Sequence, residues 1–216
     1  MFWILLFTCA DLTSRMMNKT IITNDLPTGL TALTLTAKPC RTLKSQSISF
    51  GHLKNLKRLD VSFKAGVSID LSDLTTLTHL VSNIPGRGSA PTTITGIHTN
   101  TNLRYLNILL YELDDNSLDF LYNLYELREL TIRVSPLRNV YGLSRVTMEI
   151  FTKLPFITRI TLPTPLPISD DAIPFFDQLN PDSFARIFRY RGGNAITIDE
   201  YKSLGNPVFY PQNIPL

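Results

Sequence analysis

The apolar positions of this chain change their spacing in a repeated way. In "LYNLYELRELTIR" (121–133), Leu121, Leu124, Leu127 and Leu130 stand three apart, and the next step, from Leu130 to Ile132, is two. The run of threes returns as Phe50, Leu53, Leu56, Leu59, as Leu71, Leu74, Leu77, Leu80 and as Phe151, Leu154, Ile157, Ile160. A step of two predicts a short strand in which Leu130 and Ile132 share one face while Thr131 takes the other. A step of three predicts tight turns or 3₁₀ segments, which repeat every three residues and drop each leucine into the same interior.

The combined pattern, apolar-x-x-apolar-x-apolar, occurs as "LTALTL" (30–35), "LKRLDV" (56–61), "LRYLNI" (103–108), "LRELTI" (127–132) and "ITRITL" (157–162). "LTHLVS" (77–82) puts Ser82 at its third apolar position, and "FARIFR" (184–189) is a weaker copy. The central residues Leu33, Leu59, Leu80, Leu106, Leu130, Ile160 and Ile187 follow one another at steps of 26, 21, 26, 24, 30 and 27. One such unit cannot bury its leucines alone, whereas stacked units share a continuous core. "WILLFT" (3–8) fits one step further back, Leu6 lying 27 before Leu33.

Between the strands, "DDNSLDFLYNL" and "SRVTMEIFTKL" read as short helices, and "SNIPGRGSAPTTITG" (82–96) reads as an inserted loop. "TIDEYKSLG", with Thr197 and Glu200 at capping-box spacing and Gly205 as a stop, reads as a C-terminal cap. The domain reading is an N-terminal coil over 1–29, a repeat array over 30–191, and a cap with tail over 192–216.

These residues resemble the leucine-rich repeat family, most clearly over 30–162. The resemblance implies an α/β solenoid, with a curved parallel sheet on its concave side and short helices or turns on its convex side. The family usually places Asn or Cys three residues after the last motif leucine; here Lys38, Lys64, Pro85, Tyr111, Ser135 and Pro165 stand there. Convex turns are therefore expected to satisfy their backbone groups in another way.

Composition narrows the picture. Of the 216 residues, 44 % are hydrophobic and 18 % charged, which fits a folded domain and not a disordered chain. The net charge of +3 is spread along the sequence without a basic cluster, so no nucleic-acid partner is expected. Cys9 and Cys40 are too few for a disulfide framework, and His52, His79 and His98 are too scattered for a zinc site. "MFWILLFTCA" is too short to span a bilayer; it is either a first coil or a signal-like segment over 1–10 lacking the usual positive start. An intracellular location goes with the first reading, and secretion with the second, where the sequon at Asn18 would fit.

No motif carries chemistry. Asp114, Asp115, Asn116 and Asp119 lack the glycine and the glutamate of a calcium loop and read as a helix start. "GRGSA" (86–90) and "RGG" (191–193) are not phosphate loops, and no nucleophile elbow is present. The chain is read as non-enzymatic, with no cofactor and no metal. The informative positions are the strand residues that face away from the core, on the surface that solenoids use for binding. Arg58, Asp60, His79, Tyr105, Asn107, Glu129, Thr131, Arg133 and Arg159 are expected to contact a protein partner there, since Tyr and Arg are favoured at binding hot spots. Val81 and Leu109 add apolar contact beside them. Alternative roles are an adaptor subunit of a larger complex, or a structural component of a surface or a virus particle.

Overall fold

In a computed structural model, residues 2–7, 20–22, 26–37, 46–62, 67–83, 93–110, 117–134, 145–161, 188–189 and 195–196 are described. Their strands are mostly parallel, lie mainly in two sheets, and are joined by few helices, so the class is mixed α/β.

The larger sheet has seven strands: β1 (Phe2–Phe7), β3 (Ala32–Ala37), β5 (Arg58–Ser62), β7 (His79–Ser82), β9 (Tyr105–Leu110), β10 (Glu129–Val134) and β11 (Arg159–Thr161), neighbours in that order. Every pairing within it is parallel. The register places the repeat leucines opposite one another, Leu33 to Leu59 to Leu80 to Leu106 to Leu130 to Ile160. All six are buried, and they belong to one continuous core. Burying a side chain of this kind contributes about 1.5–3 kcal/mol, so this row is a main source of stability. A second inner row runs Leu35, Val61, Ser82, Ile108, Ile132.

At the N-terminus the register corrects the sequence alignment. β1 does pair with β3, but Trp3 stands opposite Leu33 and Leu6 stands opposite Thr36. Aligning the apolar run on Leu6 therefore sets it three positions out. In an apolar segment of six residues, composition cannot select the register that pairing selects.

The second sheet was not expected. It contains β2 (Thr20–Ile22), β4 (Gln46–Ser49), β6 (Val67–Asp70) and β8 (Thr93–Thr95), all parallel, where the repeat pattern predicts helices or turns. Ile21, Ile48, Ile69 and Ile94 stand in register along it. Ile48 and Ile69 are buried, and Ile94 packs against the core. β8 also replaces part of the loop expected over 82–96. Up to β8 the chain alternates between the two sheets, strand by strand, and the core lies between them.

The steps of three are chains of i to i−3 hydrogen bonds in which each apolar residue is both acceptor and donor. The amide of Leu53 donates to Phe50 and that of Leu56 to Leu53; Leu71, Leu74 and Leu77 repeat this, as do Leu118, Leu121, Leu124 and Leu127. Two 3₁₀ segments, Ile97–Thr99 and Asp119–Asn123, are the regular version of these corners. The second corrects the helix expected from "DDNSLDFLYNL": apolar residues at every third position suit the tighter turn, and no side-chain cap is present. The helix expected near 145 does form, as α1 (Arg145–Thr152), with Lys153 paired to Glu149 at 2.8 Å.

Backbone groups at the strand entries are satisfied by a shared carbonyl ladder. The carbonyls of Thr31, Lys57, Thr78, Arg104 and Arg128 each accept two successive N–H groups from the next strand's entry, for example Lys57 and Arg58 to Thr31 at 2.9 and 3.1 Å. Side chains reinforce the stack between corners: Asn55 donates to the Thr28 carbonyl, Thr76 to Lys54 and Asn102 to Thr75. Asn100 takes a leucine's place in the staircase Ile97, Asn100, Leu103, buried, and its side-chain amide donates to the carbonyls of Leu71 and Gly96. That staircase carries one additional residue, Gly96, in the left-handed conformation at φ 74°. A Cβ there would lie 2.4 Å from the Ser72 amide nitrogen, so glycine is required both by conformation and by space.

The weak repeat at "FARIFR" is corrected as well. Phe188 and Arg189 form β12 (Phe188–Arg189), which pairs antiparallel with β13 (Ala195–Ile196) in a separate two-stranded sheet. Five residues separate the two strands, enough for an antiparallel return but too few for a parallel crossover. The six family Asn/Cys positions, Asp114 to Asn116 and the C-terminal cap over "TIDEYKSLG" lie outside the described residues.

Candidate partner-binding face

Because side chains alternate along a strand, burying Leu59 and Val61 turns Arg58, Asp60 and Ser62 to the other face of the sheet. Register then gathers this face into rows. The first is Ala32, Arg58, His79, Tyr105, Glu129, Arg159, and the second is Thr34, Asp60, Val81, Asn107, Thr131, Thr161. A third contains Thr36 beside Ser62, and Leu109 beside Arg133. All nine expected contact residues therefore lie on one face. Val81 and Leu109 are half-buried there.

Eight of the nine are engaged with one another. Arg58 contacts the Asp60 carboxylate through Nη2 at 3.0 Å and Nε at 3.3 Å. His79 and Tyr105 stack with ring centroids 5.9 Å apart and planes 21° from parallel. The Thr78 hydroxyl lies 2.9 Å from His79 Nδ1 and also donates to the Lys57 carbonyl. Arg159 pairs with Glu129 across neighbouring strands at 3.3 Å. Such exposed pairs contribute about 0.2–1 kcal/mol each, so they orient side chains more than they stabilise the sheet.

Arg133 differs. Its guanidinium lies across the face and donates to Asn107 on β9 at 3.0 Å, to the Ser82 carbonyl on β7 at 3.2 Å, and to the Asn83 side chain. Burial lowers its pKa below the usual guanidinium value, opposed by the nearby Tyr105, and an arginine so placed stays charged. It is a clamp across three strands, with its donors already directed inward.

Sequence reasoning missed a row beside this face. The residue immediately before each strand's first outward position is Thr31, Lys57, Thr78, Arg104, Arg128 and Thr158, and these entry residues are stacked by the shared carbonyl ladder. Lys57, Arg104 and Arg128 are exposed, and none has a salt bridge among the described residues. In sequence these cations are 47 and 24 residues apart; the fold sets them in one row. The signal was available in the motif, since each directly follows a corner leucine.

At β10 and β11 the character of the corners changes. The positions of Asn55, Thr76 and Asn102 are taken by Glu126 and Phe156, and Tyr125 and Phe156 are 56 % and 52 % exposed. Lys153 lies over the Tyr122 ring, 5.4 Å from its centre. Among the described residues, no group of three His, Cys, Asp or Glu side chains is placed to hold a metal ion, and no helix is long and apolar enough to cross a membrane. No protein-family model matches the chain, and no curated protein matches it.

Proposed function

We propose that the stacked strands form an irregular leucine-rich repeat solenoid, and that the outer face of the seven-stranded sheet is a non-enzymatic platform for a protein partner. The observation that carries this reading is the register of that face. Arginine, histidine, tyrosine and carboxylate side chains from five strands lie side by side and already hold one another in place. A platform whose side chains are ordered beforehand loses little entropy when a partner docks. The mixture supplies aromatic area at Tyr105 and directional charge at Arg58 and Arg159, the residue types that dominate binding energy at interfaces.

The test is affinity capture with mass spectrometry, followed by binding measurements on Arg58→Ala, Tyr105→Ala and Arg159→Ala. Each is expected to weaken the captured partner by at least about 1 kcal/mol while thermal unfolding stays close to wild type. A partner that binds all three variants as tightly as the parent protein would move the binding site off this face.

A further inference from the structure

The entry edge of the sheet carries a larger charge imbalance than the face, where Arg133 alone of three arginines is set against neutral acceptors. On the face, Arg58 is matched by Asp60, and Arg159 by Glu129. At the edge, Lys57, Arg104 and Arg128 stand at equivalent ladder positions with no carboxylate set against them among the described residues. β9 and β10 are neighbours, and β7 separates β5 from β9. With strands about 4.8 Å apart, the three cations span about 14 Å.

Building on the platform reading, we infer that the partner docks through an acidic, extended segment. Its carboxylates meet Lys57, Arg104 and Arg128, and its alternate side chains rest on the His79–Tyr105 stack. The overall span agrees, and the long Lys and Arg side chains take up the difference between cation spacings of about 9.6 and 4.8 Å and an even spacing of acids. An extended peptide rises about 3.3 Å per residue, so acids at every second position recur at about 6.6 Å and three of them cover about 13 Å. The intervening side chains point to the other side, towards the row that contains His79 and Tyr105. Charge complementarity of this kind sets register and speeds encounter.

A nucleic acid fits less well. A duplex binder with a steep salt dependence makes about six to ten phosphate contacts, and this edge offers three cations without a carboxylate partner among the described residues. The adjoining rows carry Asp60 and Glu129, which would face a continuous phosphate backbone with like charge. A peptide avoids this by placing its carboxylates only along the edge.

The experiment is fluorescence anisotropy of a labelled peptide of alternating glutamate and tyrosine, run beside a lysine–tyrosine peptide and an oligothymidylate. Two double variants remove the same charge in different places: Arg104→Gln with Arg128→Gln at the edge, and Lys54→Gln with Lys153→Gln away from it. The glutamate peptide is expected to bind and to weaken with salt. The edge variant should lose about tenfold in affinity and the distant variant less than about twofold. Equal losses in the two variants, no loss in the edge variant, or preferential binding of the oligothymidylate would overturn the inference. Tyr105→Ala separates the two levels. Weakened binding in Tyr105→Ala with an unaffected edge variant leaves the platform in place and removes the acidic-edge inference; no effect from either removes both.

Discussion

Ser82 occupies the one polar position in an otherwise aliphatic inner row. It stands between Val61 and Ile108, fully buried, and its hydroxyl has no hydrogen-bond partner among the described residues. A buried hydroxyl left unpaired costs about 1–3 kcal/mol, and the site also forgoes the apolar contact its neighbours make. Ser82→Val is therefore expected to raise stability by about 1 kcal/mol in equilibrium denaturation, while the Ser82 carbonyl remains free to accept from Arg133. A destabilised variant would show that the row is too tight for a branched side chain. Asn100, equally buried, also leaves its Oδ1 without a partner among the described residues, but its Nδ2 donates to two carbonyls at 2.8 and 3.2 Å. Both residues were visible in the sequence as breaks in a leucine pattern. Which break is a defect and which a brace depended on partners 29 residues away.

Among the elements, the seven-stranded sheet was legible from β5 to β10 because each of those strands brings two inward residues and follows a staircase of mostly apolar residues three apart. The four-stranded sheet was not, because its strands are only three or four residues long, too short for an alternation to register. A faint signal existed: Ile48 and Ile69 stand eleven residues before Leu59 and Leu80, and Ile21 and Ile94 stand twelve before Leu33 and Leu106. The additional residue at Gly96 is accommodated by its left-handed backbone. Arg133 shows the same limit on the outer face. Its position predicts exposure, but its reach across β9 and β7 makes it a fastener between strands. Arg133→Ala should cost about 1–3 kcal/mol, since it strands three acceptors at once. The accompanying sign is faster hydrogen exchange at the amides of Ser82 and Asn83. A loss below about 0.5 kcal/mol, typical of surface sites, would deny it this role.

At the scale of the whole molecule, each strand hydrogen-bonds only to its neighbours in the sheet, so energetic coupling should decay with strand separation. Ile108 and Ile132 are directly opposed, whereas Leu35 lies four strands from β10, about 19 Å at ordinary strand spacing. In double-mutant cycles, Ile108→Val with Ile132→Val should therefore depart from additivity by at least about 0.5 kcal/mol. Leu35→Ala with Ile132→Val should add within about that margin. Strong coupling of the distant pair would mean the core responds as one rigid body, not layer by layer.

The sequence by itself determined the repeat, the inward row from Leu33 to Ile160, and the set of residues turned outward, because period-two and period-three spacing dictate backbone geometry locally. Only tertiary structure decided how those outward residues pair, where the cations of the entry edge collect, and that short segments around Ile21, Ile48, Ile69 and Ile94 assemble a second sheet. Those outcomes depend on register between segments about twenty to thirty residues apart, and register is settled when facing strands exchange hydrogen bonds and exclude water together.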